Sequence, residues 1–279
     1  MSKVGGCARP PEPLDSGVSM HWIDDESWGE ALRARGWNDF ETLWEADLPD
    51  VEEPNQRRGG WSRVGRLVIE GSPVRTAFLK RQENHRIRSL RHLLRGESTC
   101  AREWRNLVAL RRVGFPVPRP IAFGERRRKG DLQALLLLEE IPRAWSLDRW
   151  IEEWEKGGWP SPRDLHAAID AVSAVVGRLH RLGYRQGALY PKHVFLERTK
   201  QGAWRVSLID MEKSRRTCLR ARARLRDLDA FNRRTPGFTR SGRWRFLKGY
   251  CEGDLREARK LFRRLLGRME RRQRRGSAL

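Results

Sequence analysis

The sequence has no hydrophobic run long enough to cross a membrane. Its longest wholly apolar stretch, Ala134 to Leu138, has five residues, against roughly 20 for a helix that spans a bilayer. Cysteine is scarce as well. Cys7, Cys100, Cys218 and Cys251 lie far apart and form neither a CxxC pair nor a metal-ligand spacing, so reduced thiols are expected. The opening stretch "MSKVGGCARPPEPL" lacks the apolar core of a signal peptide, and a cytoplasmic location is the expectation. Acidic residues are also in deficit: 36 Asp and Glu stand against 58 Lys and Arg, for a formal charge of +22. Such a chain is drawn to polyanions, whether nucleic acid, an anionic membrane surface or a phosphorylated glycolipid. No helix-turn-helix, zinc pattern or aromatic RNA-recognition motif accompanies the charge, so specific nucleic-acid binding is not expected.

What is present is a change of character along 279 residues. Residues 1 to 20 are Pro- and Gly-rich and read as an irregular lead. Residues 24 to 48 read as one or two short helices broken at Gly36, with Trp28, Leu32, Trp37, Phe40 and Leu43 as packing residues. Two apolar stretches, Leu67 to Ile69 and Thr76 to Leu79, flank "EGSP" and predict a hairpin. A helix follows, capped by Ser98 or Thr99 and ended by Gly114. Strands near Pro120 to Phe123 and Leu132 to Leu138 come next. This strand-strand-helix-strand-strand order predicts a small antiparallel sheet carrying one helix rather than a doubly wound sheet.

The second half is mostly helical. Ser161 precedes Pro162, and Leu165, Ile169, Val172, Val176 and Leu179 recur at spacings of 4, 3, 4 and 3, the period of a helix with an apolar face. "HVFLE" and "WRVSLID" read as a short strand pair, and helices follow from about Ala221 to Arg275, broken at Pro236-Gly237 and Gly253. The expected fold class is therefore α+β, a sheet lobe joined to a larger helical lobe. Its divisions are an irregular and helical extension over 1–50, a sheet-rich lobe over 51–140 and a helical lobe over 141–279.

Four separated elements carry candidate chemistry. "AFLKRQ" puts Lys80 at the end of a strand, and Glu103 follows in the next helix. "LYPKHVFL" sets His193 just before a strand, while "VSLIDMEK" ends one at Asp210. Phosphoryl transfer needs a cation on the nucleotide phosphates, an anion to hold it, ligands for magnesium and a group that orients the acceptor. These residues match the first three needs. Each also has a plainer reading: a surface Lys, an Arg-paired Glu, a loop-capping His, a turn-capping Asp. Gly59-Gly60 either meets phosphate with its backbone N–H groups or merely leads into a hairpin.

The motifs "LYPKHVFL" and "LIDMEKSRR", with "GGWSRV", Lys80, Glu103 and "GFPVPRPIAFGE", resemble the lipopolysaccharide kinase family, the Kdo and heptose kinase relatives of protein kinases, and especially its InaA-like branch. The likeness runs from about Arg58 to Arg216. It implies a two-lobed protein kinase-like fold and ATP-dependent phosphorylation of an inner-core sugar at the cytoplasmic face of the inner membrane. Lys80 would pair with Glu103 and touch the phosphates beneath Gly59 and Gly60, and His193 and Asp210 would hold Mg2+. The resemblance also exposes departures. Where the family carries H-x-D-L-Y-P-K-H, this chain has Gln186 and Ala188 in place of the His and the catalytic Asp. A methyl group neither accepts a proton nor orients a hydroxyl, which points either to a slow phosphotransferase, with Glu212 as a substitute base, or to a pseudokinase that binds nucleotide or an envelope partner.

Overall fold

The computed structural model describes residues 17–23, 26–57, 59–87, 97–235 and 237–276. Cys7, Pro236 and most of the irregular lead lie outside the described residues. The chain divides into two compact units, Met1–Ala101 with Pro120–Glu139, and Arg102–Arg119 with Glu140–Leu279.

In the first unit the elements are β1 (Val18–Trp22), α1 (Glu26–Arg33), α2 (Phe40–Glu45), β2 (Asn55–Arg57), β3 (Gly60–Ile69), β4 (Arg75–Glu83), β5 (Arg86–Ile87), β6 (Glu97–Ser98), the first turn of α3 (Thr99–Arg112), β7 (Pro120–Arg128) and β8 (Asp131–Glu139). Six strands form one antiparallel sheet in the order β1-β7-β8-β4-β3-β2. Residues two apart on each strand share a face. Leu67 and Ile69, Ala77 and Leu79, and Leu135 and Leu137 are accordingly buried together, and Trp28, Leu32, Phe40 and Leu43 of the two short helices complete that core. Asp39 caps α2 by accepting the Thr42 N–H at 2.8 Å. Gly36, at φ +71°, separates α1 from α2.

Two expectations need correction here. Val18–Trp22 is not irregular but an edge strand on β7; five residues whose partners lie so far along the chain leave no local signal. Lys80 is not at a strand end, because β4 runs on through Glu83 and pairs Lys80 with Val64 on one side and Leu136 on the other. Polar Arg81, Gln82 and Glu83 hid that continuation.

The second unit contains the rest of α3 and β9 (Trp145–Ser146), α4 (Leu147–Gly157), α5 (Pro162–Arg181), β10 (Tyr184–Arg185), β11 (Val194–Arg198), β12 (Trp204–Leu208), β13 (Arg215–Arg216), α6 (Arg220–Arg233), α7 (Arg240–Tyr250) and α8 (Leu255–Gly276). Helix starts and stops follow the sequence signals. Ser98 Oγ accepts the Ala101 N–H at 3.0 Å, Ser161 Oγ accepts that of Asp164 at 3.2 Å, and Gly114 turns at φ +64°. Helix α5 buries Ile169, Val172, Val176 and Leu179 and packs on α7 and β12. The pair β11–β12 is extended by β9, and β10 pairs with β13. Between α5, α6, α7 and α8 lies an apolar cavity of about 680 Å³, lined in part by Ile169, Phe231, Phe246 and Phe262. No helix among the described residues is long and apolar enough to cross a membrane.

Candidate functional site

The loop after β10 is built on internal hydrogen bonds. The Gln186 side chain is buried; its Oε1 accepts the Ala188 N–H at 2.5 Å and its Nε2 donates to the Asp210 carbonyl at 3.2 Å. The N–H groups of Gln186 and Gly187 donate to the two oxygens of Asp227 at 2.7 and 3.1 Å. Asp227 is itself buried on α6 and lies 3.2 Å from His180 Nε2, whose Nδ1 is 2.8 Å from the Tyr250 hydroxyl. Gly187, at φ +83°, leaves room for a close approach: a Cβ there would sit 2.8 Å from the Lys213 carbonyl oxygen. Gln186 is therefore not simply a lost histidine, because it ties this loop to the one that carries Asp210. Ala188 is 1 % exposed, and its carbonyl accepts from His193 Nδ1 at 2.8 Å.

That last bond fixes the histidine's protonation pattern. A carbonyl only accepts, so Nδ1 carries a proton. Burial pushes the His193 imidazole below its ordinary value, against the raising pull of Asp210 and of the Ala188 carbonyl. At neutral pH the ring is thus uncharged, and the Nε2 lone pair faces Asp210 Oδ2 at 3.2 Å. Two acceptors at that distance repel each other unless a cation lies between them.

Asp210 stands just beyond β12 with φ 55° and ψ 62°, a left-handed backbone sparsely used by residues other than glycine. Carboxylate oxygens of Glu103, Asp210 and Glu212 all lie within 4.8 Å of one another, and Lys213 Nζ offsets part of that negative charge from 3.7 Å off Glu212 Oε1. The short turn Met211–Lys213 is clamped from α3. Glu103 Oε1 accepts the Met211 N–H at 3.0 Å, Asn106 Nδ2 donates to the carbonyls of Met211 and Ser214 at 2.9 and 2.8 Å, and Arg102 Nε donates to that of Glu212. The donor set suits magnesium: hard carboxylate oxygens, with one imidazole nitrogen beside them.

The helical unit thus brings Ala188, His193, Asp210 and Glu103 together, with Glu212 added. Lys80, Gly59 and Gly60 belong to the sheet unit. Gly60 opens β3, where a Cβ would come within 2.1 Å of the Glu83 carbonyl oxygen, and Gly59 turns at φ +74°. Close strand packing thus calls for glycine at 60, and the left-handed turn favours it at 59. Sequence reasoning missed Asn106 and Asp227. Nothing marked Asn106 on an Arg-rich helix, whereas Asp227, in the apolar-flanked run "LRDLDAF" of α6, was a carboxylate on a helix face expected to be buried.

Comparison with known proteins gives the family and the fold. Residues 41–250 match the model of the lipopolysaccharide kinase (Kdo/WaaP) family. Protein InaA of Escherichia coli strain K12 is 29 % identical over 188 residues, which cover 67 % of this chain and 83 % of InaA. The lipopolysaccharide core heptose(I) kinase WaaP of Pseudomonas aeruginosa is 31 % identical over 176 residues, 61 % of this chain and 65 % of that protein, so just under two thirds of the kinase is matched. A solved structure, WaaP in complex with acyl carrier protein, has a TM-score of 0.69 at 24 % identity, over 91 % of this chain and 98 % of that one. That likeness shows the fold, a kinase-like mixture of helices and antiparallel sheet. With three quarters of its length matched, the chain belongs to the lipopolysaccharide kinase (Kdo/WaaP) family.

Proposed function

We propose that the protein binds Mg-ATP and transfers its γ-phosphoryl group to a sugar hydroxyl of the lipopolysaccharide core, slowly, because Ala188 stands where the acceptor-orienting carboxylate belongs. The observation that carries the donor half is His193 Nε2 facing Asp210 Oδ2 at 3.2 Å. Asp210 and His193 would hold the cation, with Glu103 and Glu212 alongside. When bound, Mg-ATP supplies a phosphoryl group whose leaving oxygen is already charge-neutralised, and the chain's own work is positioning. Assignment of the phosphates to Lys80, of Glu103 as its partner and of Gly59 and Gly60 as a phosphate cover rests on the family resemblance. A cytoplasmic protein peripheral to the inner membrane fits the same reading. The solved neighbour, WaaP in complex with acyl carrier protein, supports a protein partner for this chain as well.

A binding-only role is the second reading, and the buried Ala188 methyl favours it. Two measurements separate them. Calorimetry should show nucleotide binding that depends on magnesium and weakens in Lys80→Ala; no binding at millimolar nucleotide would sink the donor site. Steady-state phosphate transfer to a core-sugar acceptor should rise by about 10²-fold or more in Ala188→Asp. Robust wild-type turnover that Ala188→Asp leaves unchanged would assign the orienting role to Glu212 or to the substrate. With Mg-ATP bound, silence from both variants on a verified acceptor would establish the binding-only role.

A further inference from the structure

Positive charge collects beside the catalytic-type loop without matching carboxylates. Arg185 of β10 lies directly across from Arg215 of β13, a like-charged cross-strand pair that is unfavourable by itself. Helix α6 packs on β10 and carries Arg222 and Arg226 one turn apart, both exposed. The Arg226 guanidinium holds its proton less tightly than usual, chiefly because of Arg222, then through desolvation and the charges of Arg185, Arg268 and Arg215. These residues, distant in sequence, therefore lie close enough together to repel one another.

The available anions are committed elsewhere. Asp227 Oδ1 is 3.8 Å from Arg185 Nε, beyond a hydrogen bond, and already accepts from the loop backbone. Arg185 Nε is buried without a hydrogen-bond partner. Arg268 leans on Asp229, which also takes Arg233 and Arg272. Among the described residues, no carboxylate forms an ion pair with Arg215, Arg222 or Arg226. Forked guanidiniums held together against their own repulsion suit a phosphate, which takes paired N–H donors from several sides. Position adds a role. Strand β10 runs straight into Gln186–Ala188, and β13 follows the Asp210 loop.

We propose that Arg185, Arg215, Arg222 and Arg226 form a phosphate-binding site that holds a phosphate group of the acceptor beside the catalytic-type loop. This rests on the phosphotransferase reading above and names its acceptor class, a phosphorylated saccharide or glycolipid. The phosphate can come from the sugar itself or from a lipid headgroup.

The test uses the full chain without magnesium, so that the donor site stays unloaded. Binding of a hexose 6-phosphate, with the plain hexose as blank, and of phosphatidylglycerol vesicles is measured for wild type and Arg222→Gln/Arg226→Gln. A control, Arg127→Gln/Arg128→Gln, removes the same charge from exposed positions in the sheet unit. The expected result is binding about tenfold or more weaker for the α6 double variant, with the control within about twofold of wild type and Mg-ATP affinity unchanged in both. Loss confined to the sugar phosphate assigns the site to a phosphorylated sugar, and loss confined to vesicles assigns it to a headgroup. Equal losses in both double variants overturn the site in favour of diffuse attraction by a +22 chain, as does wild-type protein that binds neither probe. If Mg-ATP binding persists in those cases, the donor reading stands while this one falls.

Discussion

The Gln186–His193 loop and the Asp210–Ser214 loop are neighbours in the helical unit, yet they treat their polar groups in opposite ways. In the first, the Gln186 amide meets Ala188 and Asp210, two backbone N–H groups meet Asp227, and His193 Nδ1 meets the Ala188 carbonyl. In the second, the backbone is held from α3 while the carboxylates of Asp210 and Glu212, with Glu103 of α3, lie within 4.8 Å of one another and His193 Nε2 faces Asp210. A loop satisfied from within keeps its shape without a ligand. A loop that gathers negative charge is relieved by cations, and Lys213 Nζ, 3.7 Å from Glu212 Oε1, is one. The second loop thus offers carboxylate oxygens to a cation, while the first is closed by its own hydrogen bonds.

The largest expected effect tests the self-sufficient loop. Asp227→Ala leaves two backbone N–H groups and a buried imidazole without their acceptor and should destabilise the protein by about 3–5 kcal/mol, read from urea unfolding. Asp227→Asn keeps one acceptor oxygen and should lose less. A change within the error of the denaturation for Asp227→Ala would mean that Asp227 does not anchor the loop. Gln186→Ala comes next. It strands the buried Ala188 N–H and should cost about 1–3 kcal/mol. The smallest effect belongs to the other loop. Asn106→Ala removes the clamp on Met211 and Ser214 and should lower magnesium affinity in the presence of nucleotide roughly tenfold, with stability changed by about 1 kcal/mol or less. If unfolding is hit harder than metal binding, Asn106 serves the fold and the two loops are less different than described.

The elements were legible where chemistry is local. Caps at Ser98 and Ser161, the apolar period of α5 and the strand pair β11–β12 could be read because each signal lies within a few residues of what it specifies. His193 and Asp210 stood out because each adjoins a strand end, where side chains converge. The misses are non-local. The edge strand Val18–Trp22 is defined by its partner β7, and β4 continues past Lys80 because its neighbours on both sides continue. Gln186 looked like a lesion because its value lies in bonds to Ala188 and Asp210 that spacing does not reveal. Asp227 acts on a loop 40 residues away.

The left-handed backbone at Asp210 also shapes how this site can drift over generations. Side chains branched at Cβ are strained at such φ and ψ, so glycine, asparagine and aspartate are the residues that enter without distorting the turn. Of these, only aspartate brings a charge. The easiest way to lose that charge is therefore a quiet exchange to asparagine, which would leave the loop's outline intact. A descendant so altered would keep the outline of this loop after its charge had gone.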